Sequence, residues 1–154
     1  AVNEAFAVPL VDAQGSVLEK PLVGEIDCRI RKGEQTVLVD WKTSGRRWPK
    51  DQADKSLQPT VYLYGYSKLY AQEVPMRFDV VVKNKTPVVE QHVTTRTVDQ
   101  FLRMVELVKQ IESMIRNEHF LPNEQGFYCG GCPHQAACRE WHWAAASVSV
   151  GMAA

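Results

Sequence analysis

Two short apolar segments that contain charged residues constrain this chain more than any other part of its sequence. Residues 23–30 and 36–42 are rich in Val, Ile and Leu, and Lys32-Gly33-Glu34 lies between them as a hairpin turn would. We therefore predict two adjacent strands. A charge at the edge of a protein core is costly unless it is paired or bound to a metal, so the charged positions in these strands are candidates for function.

Asp27, Asp40 and Lys42 are the charged residues that such a hairpin brings together. Side chains two residues apart point to the same face of a strand, so Asp40 and Lys42 project together and Trp41 points away. Pairing of the strands brings Asp27 close to Asp40. Two carboxylates can bind Mg²⁺, which can polarise a phosphodiester, and a lysine can orient water or stabilise developing negative charge. The alternative is an exposed cross-strand ion pair without a catalytic role.

The remaining strand candidates complete a sheet. Three further strands are predicted over residues 5–10, 76–83 and 86–94, and residues 43–54 are predicted to form a polar loop. Strands followed by a helix, strands and a second helix predict a mixed α/β core in which helices pack on the sheet.

Two helices are predicted from their start signals and their apolar spacing. The first covers residues 56–70, with Ser56 as its N-cap and Pro59 in its first turn. The second is amphipathic and runs from the capping box Thr97–Gln100 to near Asn117.

Composition and charge exclude several classes of protein. The 154 residues are 45% apolar, as in a soluble globular domain, and contain no run of apolar residues long enough to span a bilayer. We therefore expect no membrane contact. Lys+Arg and Asp+Glu both number 18, which excludes a globally basic nucleic-acid binder but leaves room for a local basic patch. No secretory signal opens the chain, and we expect a cytoplasmic protein.

A local basic patch follows the hairpin. Between Arg29 and Lys50 there are seven basic residues. Arg46, Arg47 and Lys50 fall in the loop after the second strand, where a phosphate backbone would meet them first, and Trp48 among them could stack on an unpaired base. We predict that these four residues bind DNA. The alternative is a solvated loop with an anchoring tryptophan.

Three clustered cysteines predict a metal site. Cys129, Cys132 and Cys138 have the spacing C-x2-C-x5-C, which in a chain without a secretory signal indicates metal ligation in a reducing compartment. A zinc site needs a fourth ligand, which His134 or His142 could supply, and an iron–sulfur cluster needs four thiolates as a rule. The fourth cysteine, Cys28, is predicted to be a small buried apolar residue.

The order of the charged residues resembles a nuclease family. Gly24-Glu-Ile-Asp27, twelve intervening residues, Asp40-Trp-Lys42-Thr-Ser44 and then Gln58-Pro-Thr-Val-Tyr62 resemble the motifs of PD-(D/E)xK nucleases, in particular the RecB-like exonuclease branch. The resemblance implies a restriction-endonuclease-like core in which Asp27, Asp40 and the backbone carbonyl of Trp41 bind Mg²⁺ or Mn²⁺. It also implies that Lys42 positions the attacking water. Gln58 and Tyr62, on one helix face, would line the active site.

The cysteine spacing resembles the C-terminal triplet of iron–sulfur members of that branch, the AddB-type helicase–nuclease subunits and the CRISPR-associated RecB-like exonucleases. It implies a [4Fe–4S] cluster, with zinc as the alternative. The family places a fourth cysteine, and a His or Glu on a helix, before the first strand. No cysteine stands there and Glu4 lies at a strand start, so we expect that an upstream part is missing.

These expectations divide the chain and suggest its function. Residues 1–118 are predicted to form the nuclease core, 119–143 the metal-binding segment, and 144–154 a flexible tail. The predicted activity is metal-dependent DNA cleavage, as an exonuclease in DNA repair, recombination or CRISPR adaptation, on single strands or duplex ends and with a helicase or similar partner. The alternatives are a non-catalytic nucleic-acid-binding module with a zinc-bound cysteine segment, and an accessory subunit whose cluster senses redox state.

Overall fold

The computed structural model describes residues 1–119, 126 and 128–141. The chain divides into two compact units, Ala1–Glu112 and Ser113–Ala154. Among the described residues, no helix is long and apolar enough to cross a membrane.

A five-stranded sheet forms the centre of the first unit. Its strands are β1 (Val2–Val8), β2 (Leu22–Lys32), β3 (Gln35–Ser44), β4 (Met76–Val82) and β5 (Val88–Thr94), and they lie side by side in that order. All neighbours are antiparallel except β3 and β4, which are parallel. A parallel pair needs a crossover connection, and the chain between β3 and β4 supplies it with two helices. The mixed sheet flanked by helices confirms the predicted fold class.

The crossover differs from the prediction in one respect. A short helix α1 (Gln52–Lys55) lies in the predicted loop, and α2 runs from Gln58 to Tyr70. Ser56 is the C-cap of α1, and the N-cap of α2 is Leu57, which makes no side-chain capping bond. The assignment of Ser56 as N-cap was therefore wrong, because the chain makes a separate helical turn before α2 begins.

The core of the first unit lies between the sheet and α2. The ring of Phe6 on β1 fits between Gly24 on β2 and Gly65 on α2, and a Cβ atom at either glycine would lie 2.6 Å from that ring. These two glycines therefore allow the helix to approach the sheet closely. Cys28 is buried, as predicted.

The last long helix, α3 (Val98–Arg116), begins with one of the two hydrogen bonds of the predicted capping box. The backbone N–H of Thr97 donates to Oε1 of Gln100 at 2.9 Å. Met104 and Val105 are buried, whereas Ile111, which the apolar spacing also places on that helix face, is 46% exposed.

Candidate active site

Asp27 and Asp40 meet across the β2–β3 hairpin. The ladder between these strands ends at the pair Cys28–Val39, and Asp27 and Asp40 are the next residues in the same register. Asp40 is completely buried, and Nζ of Lys42 lies 2.6 Å from its Oδ2. Lys42 remains 35% exposed. The structure thus places the two carboxylates and the lysine together on the hairpin, and their role as a site stays a prediction.

The electrostatics of Asp40 reflect this crowding. Burial raises the pKa of Asp40 above its usual value, the ammonium of Lys42 opposes that rise, and the nearby carboxylate of Asp27 adds to it. The ammonium of Lys42 thus does not offset the combined effect of burial and of the second carboxylate. When all three groups are ionised, two carboxylates and one ammonium leave a net negative charge, which favours a bound cation.

Gln58 reaches the same carboxylate from the start of α2. Its Nε2 donates to Oδ1 of Asp40 at 2.6 Å. Tyr62, one turn later, packs edge-on against Phe6 with ring centroids 6.5 Å apart, at the margin of the core. Gln58 therefore contacts the buried carboxylate of Asp40, whereas Tyr62 packs against Phe6 in the core.

Trp41 lies between the two charged residues of β3 and is 53% exposed. Alternation along the strand separates its side chain from those of Asp40 and Lys42, as the sequence predicts. Its part in the predicted metal site involves only the backbone carbonyl.

The basic loop after β3 is anchored to β5. NH1 of Arg47 lies 2.6 Å from Oε1 of Glu90, and Trp48 packs against His92 with ring centroids 5.6 Å apart. Trp48 also packs edge-on against Phe78, which the ammonium of Lys42 approaches from 5.8 Å. Trp48 therefore anchors the loop.

Arg46 and Lys50 are both exposed on this loop. The hydroxyl of Ser44 fixes the turn, because it donates to the carbonyl oxygen of Arg46 at 2.6 Å. The anchored loop thus presents two exposed cations a few residues after Lys42.

Sequence reasoning missed the residues that support the basic loop and the α1–α2 connection. Glu90 and His92 on β5 hold the loop, and buried Arg96, just after β5, binds the connection between α1 and α2. Glu90 and His92 alternate with Val89 and Val93, and that pattern could have marked them as facing the loop side. Arg96 offered no local signal, because its partners in α1, in the α1–α2 connection and in α2 are 36 to 43 residues away in sequence.

The three clustered cysteines lie in the second unit. Cys129 begins a short 3-10 turn, Cys129–Gly131, and a helical segment over 135–141 contains Cys138. Cys132 follows the turn, and its N–H donates to the carbonyl oxygen of Cys129 at 3.3 Å. Among the described residues, no three His, Cys, Asp or Glu side chains are grouped as a metal site. The candidate ligand His142 and the predicted tail 144–154 lie outside the described residues.

A mixed sheet that carries two strand carboxylates, a strand lysine and a glutamine from the crossover helix is the architecture of a nuclease domain. The model of the PD-(D/E)XK nuclease superfamily matches residues 3–139, and the chain belongs to this superfamily. The predicted restriction-endonuclease-like core is therefore confirmed. No curated protein matches the chain.

One solved structure supports the fold. The chain is similar to SSO0001, with 13% identity and a TM-score of 0.51, over 88% of this chain and 58% of that one. It is also similar to a protein described as a candidate exonuclease from Eubacterium rectale, with 16% identity and a TM-score of 0.49, over 79% of this chain and 47% of that one. The chain thus spans about half the length of these two proteins.

Proposed function

We propose that this domain is a metal-dependent deoxyribonuclease of the RecB-like branch that acts as an exonuclease. The observation that carries the proposal is the environment of Asp40. This carboxylate is fully buried, touches Lys42 and Gln58, and lies beside Asp27. A buried carboxylate with a raised pKa, in contact with a second carboxylate, is costly to fold and is typical of a functional site.

A divalent cation fits the donor set of this centre. Oδ2 of Asp40 is buried and, although Lys42 lies near it, accepts no well-directed hydrogen bond from any described residue. Carboxylate oxygens suit Mg²⁺ or Mn²⁺, so Asp27 and Asp40 would hold the ion, with the carbonyl of Trp41 as the ligand that the family resemblance implies. The bound ion would supply Lewis-acid polarisation of the phosphodiester.

The protein side chains would then act on water and substrate. In hydrolysis a water oxygen attacks phosphorus, the bond from phosphorus to the leaving sugar oxygen breaks, and that oxygen gains a proton. Lys42 is close to Asp40 yet accessible to solvent, so its ammonium can orient the water and stabilise charge on the phosphoryl oxygens. Gln58 keeps Asp40 in place through Oδ1, and Tyr62 supports the helix face beside it.

DNA would approach the centre over the anchored basic loop. Arg46 and Lys50 are exposed there and suit contacts to phosphate oxygens. Arg47 is paired with Glu90, and Trp48 with Phe78 and His92. We assign phosphate contact to Arg46 and Lys50, and loop support to Arg47 and Trp48. Single strands or duplex ends are the proposed substrate, in repair, recombination or CRISPR adaptation with a helicase-type partner.

The cysteine segment is proposed to bind a metal with a structural role. The spacing of Cys129, Cys132 and Cys138 supports this proposal, and the resemblance to the iron–sulfur members favours a [4Fe–4S] cluster over zinc. Among the described residues, these thiols do not form a group that could hold a metal ion. No catalytic step is assigned to the segment.

Substitution of Lys42 tests the activity. Lys42→Ala is expected to lower Mg²⁺-dependent cleavage of end-labelled DNA by about two to three orders of magnitude, which is a typical loss for one preorganised electrostatic group. Lys68→Ala, which removes an exposed lysine of α2 outside the centre, is the matched control and should cleave normally. An unchanged rate in Lys42→Ala at equal thermal stability contradicts the assignment. Wild-type protein that binds DNA without cleaving it would support the non-catalytic alternative.

A further inference from the structure

Arg96, between β5 and α3, has an unusual environment for an arginine. It is 8% exposed, and every nitrogen of its guanidinium donates to the protein. Its acceptors are Thr60 Oγ1 at 2.8 Å, Thr94 Oγ1, and the carbonyl oxygens of Thr95 at 2.8 Å, Ala53 at 3.0 Å, Asp54 at 3.2 Å and Ser56 at 2.8 Å.

This arrangement is expensive if its only purpose is to fill space. Burial lowers the pKa of Arg96 and the charge of Asp54 opposes that fall, but no described carboxylate lies within ion-pair distance of the guanidinium. Apolar side chains of similar volume often stabilise a core as well as a buried charge does, so the distinctive contribution of Arg96 is its set of directed hydrogen bonds. The planar guanidinium can hold several carbonyl groups in fixed relative positions.

The groups that Arg96 binds lie on both sides of Gln58 in sequence. The carbonyls of Ala53 and Ser56 precede it, and Thr60 follows it in the first turn of α2. The start of α2 has no side-chain cap of its own. Arg96 cannot cap the helix, because it only donates hydrogen bonds, but it ties the carbonyl groups before α2 to Thr60 in the first turn of α2.

We propose that Arg96 is a positioning residue for the active site, which fixes the α1–α2 connection so that Gln58 meets Asp40. The hydrogen bond from Gln58 Nε2 to Asp40 Oδ1 is 2.6 Å long, and its formation requires the first turn of α2 to lie at one height above β3. The catalytic consequence of this inference rests on the proposed nuclease function. The geometric part, that Arg96 keeps Gln58 in its hydrogen bond to Asp40, can be tested whether or not the protein cleaves DNA.

The geometric content is tested by NMR of protein labelled with ¹⁵N-glutamine. The reference is Asp40→Ala, in which the side-chain amide of Gln58 loses its acceptor. In Arg96→Lys, which keeps the charge but has three N–H donors in place of the six hydrogen bonds of Arg96, the Gln58 amide signals should move towards their Asp40→Ala positions. Arg103→Ala is the matched control, because Arg103 is an exposed α3 arginine and should leave the signals unchanged. Wild-type signals in Arg96→Lys would overturn the proposal.

Two further variants keep the test decisive. If Arg96→Lys does not fold, Thr60→Val removes one bond from the guanidinium and should shift the Gln58 signals in the same direction; unchanged signals there overturn the proposal as well. In Arg96→Gly, added guanidinium should restore the wild-type Gln58 signals at concentrations below those that unfold the protein. Failure of this rescue in a folded variant also counts against a positioning role.

Cleavage kinetics test the consequence separately. Arg96→Lys should lower kcat by about ten- to a hundredfold, as small displacements of catalytic groups do, with little change in KM. Gln58→Ala combined with Arg96→Lys should be no worse than Gln58→Ala alone, because both changes act through one hydrogen bond. Losses that multiply would overturn the proposal. If the wild-type protein cleaves nothing, the proposed function fails, and the NMR result still decides the role of Arg96.

Discussion

At the scale of single residues, the buried carboxylate of Asp40 lowers the stability of the folded protein. Its pKa is raised by burial and by Asp27, so the folded protein favours the protonated form relative to the unfolded chain. Stability falls as pH rises from the usual aspartate value of 3.8 through the raised pKa, and the full cost is present above both.

Asp40→Asn is therefore expected to raise the melting temperature at neutral pH, measured with EDTA present, while abolishing activity. The gain should shrink as the pH falls from the raised pKa towards 3.8, and it should be absent well below 3.8, where wild-type Asp40 is protonated in both states. Asp51→Asn is the contrasting control, because a hydrogen bond from Lys55 lowers the pKa of Asp51, and this variant should not raise the melting temperature. A lower melting temperature for Asp40→Asn at pH 7 would contradict the argument.

At the scale of elements, the close contact between α2 and the sheet depends on two glycines, Gly24 and Gly65, which have no side chain to block it. Gly65→Ala adds a Cβ atom 2.6 to 2.9 Å from atoms of the Phe6 ring. Helix propensity alone predicts that the alanine stabilises α2 by about 1 kcal/mol, whereas overpacking in a core costs about 1–3 kcal/mol. Because Phe6 is buried, we expect net destabilisation in urea unfolding. Phe6→Leu should be less harmful in the Gly65→Ala background than alone, and strictly additive effects would contradict this contact.

The sequence predicted the elements wherever local pattern determines them. All five strands and the two long helices were expected, and alternation along β3 placed Asp40 and Lys42 together. Helix α1 and the cap of α2 were not expected, because Arg96 stabilises that connection through contacts distant in sequence. Tyr62 shares a spacing with Gln58 but contacts Phe6, since its position depends on how α2 packs on β1.

At the scale of the whole molecule, the described parts of the two units differ in how many apolar side chains they bury. The first unit contains a core of buried apolar side chains, from Phe6 to Val105. In the second unit, none of the described residues 128–141 is buried. A segment with so little apolar burial needs another source of stability, and three closely spaced cysteines offer a metal. The predicted boundary after residue 118 remains a prediction about folding.

The last prediction follows from that difference. Replacing Cys132 with Ser should lower hydrogen-exchange protection over residues 128–141 and release the bound metal. Strands β2 and β3 should keep their protection, because Asp27, Asp40 and Lys42 are held by the core of the first unit.

Elemental analysis of protein purified without oxygen identifies the metal. Iron is expected, and one equivalent of zinc without iron would overturn the cluster assignment. Metal-free wild-type protein with full protection over 128–141 would show that the segment needs no metal. Cleavage by a zinc form would leave the nuclease proposal standing, since no catalytic group lies among the cysteines.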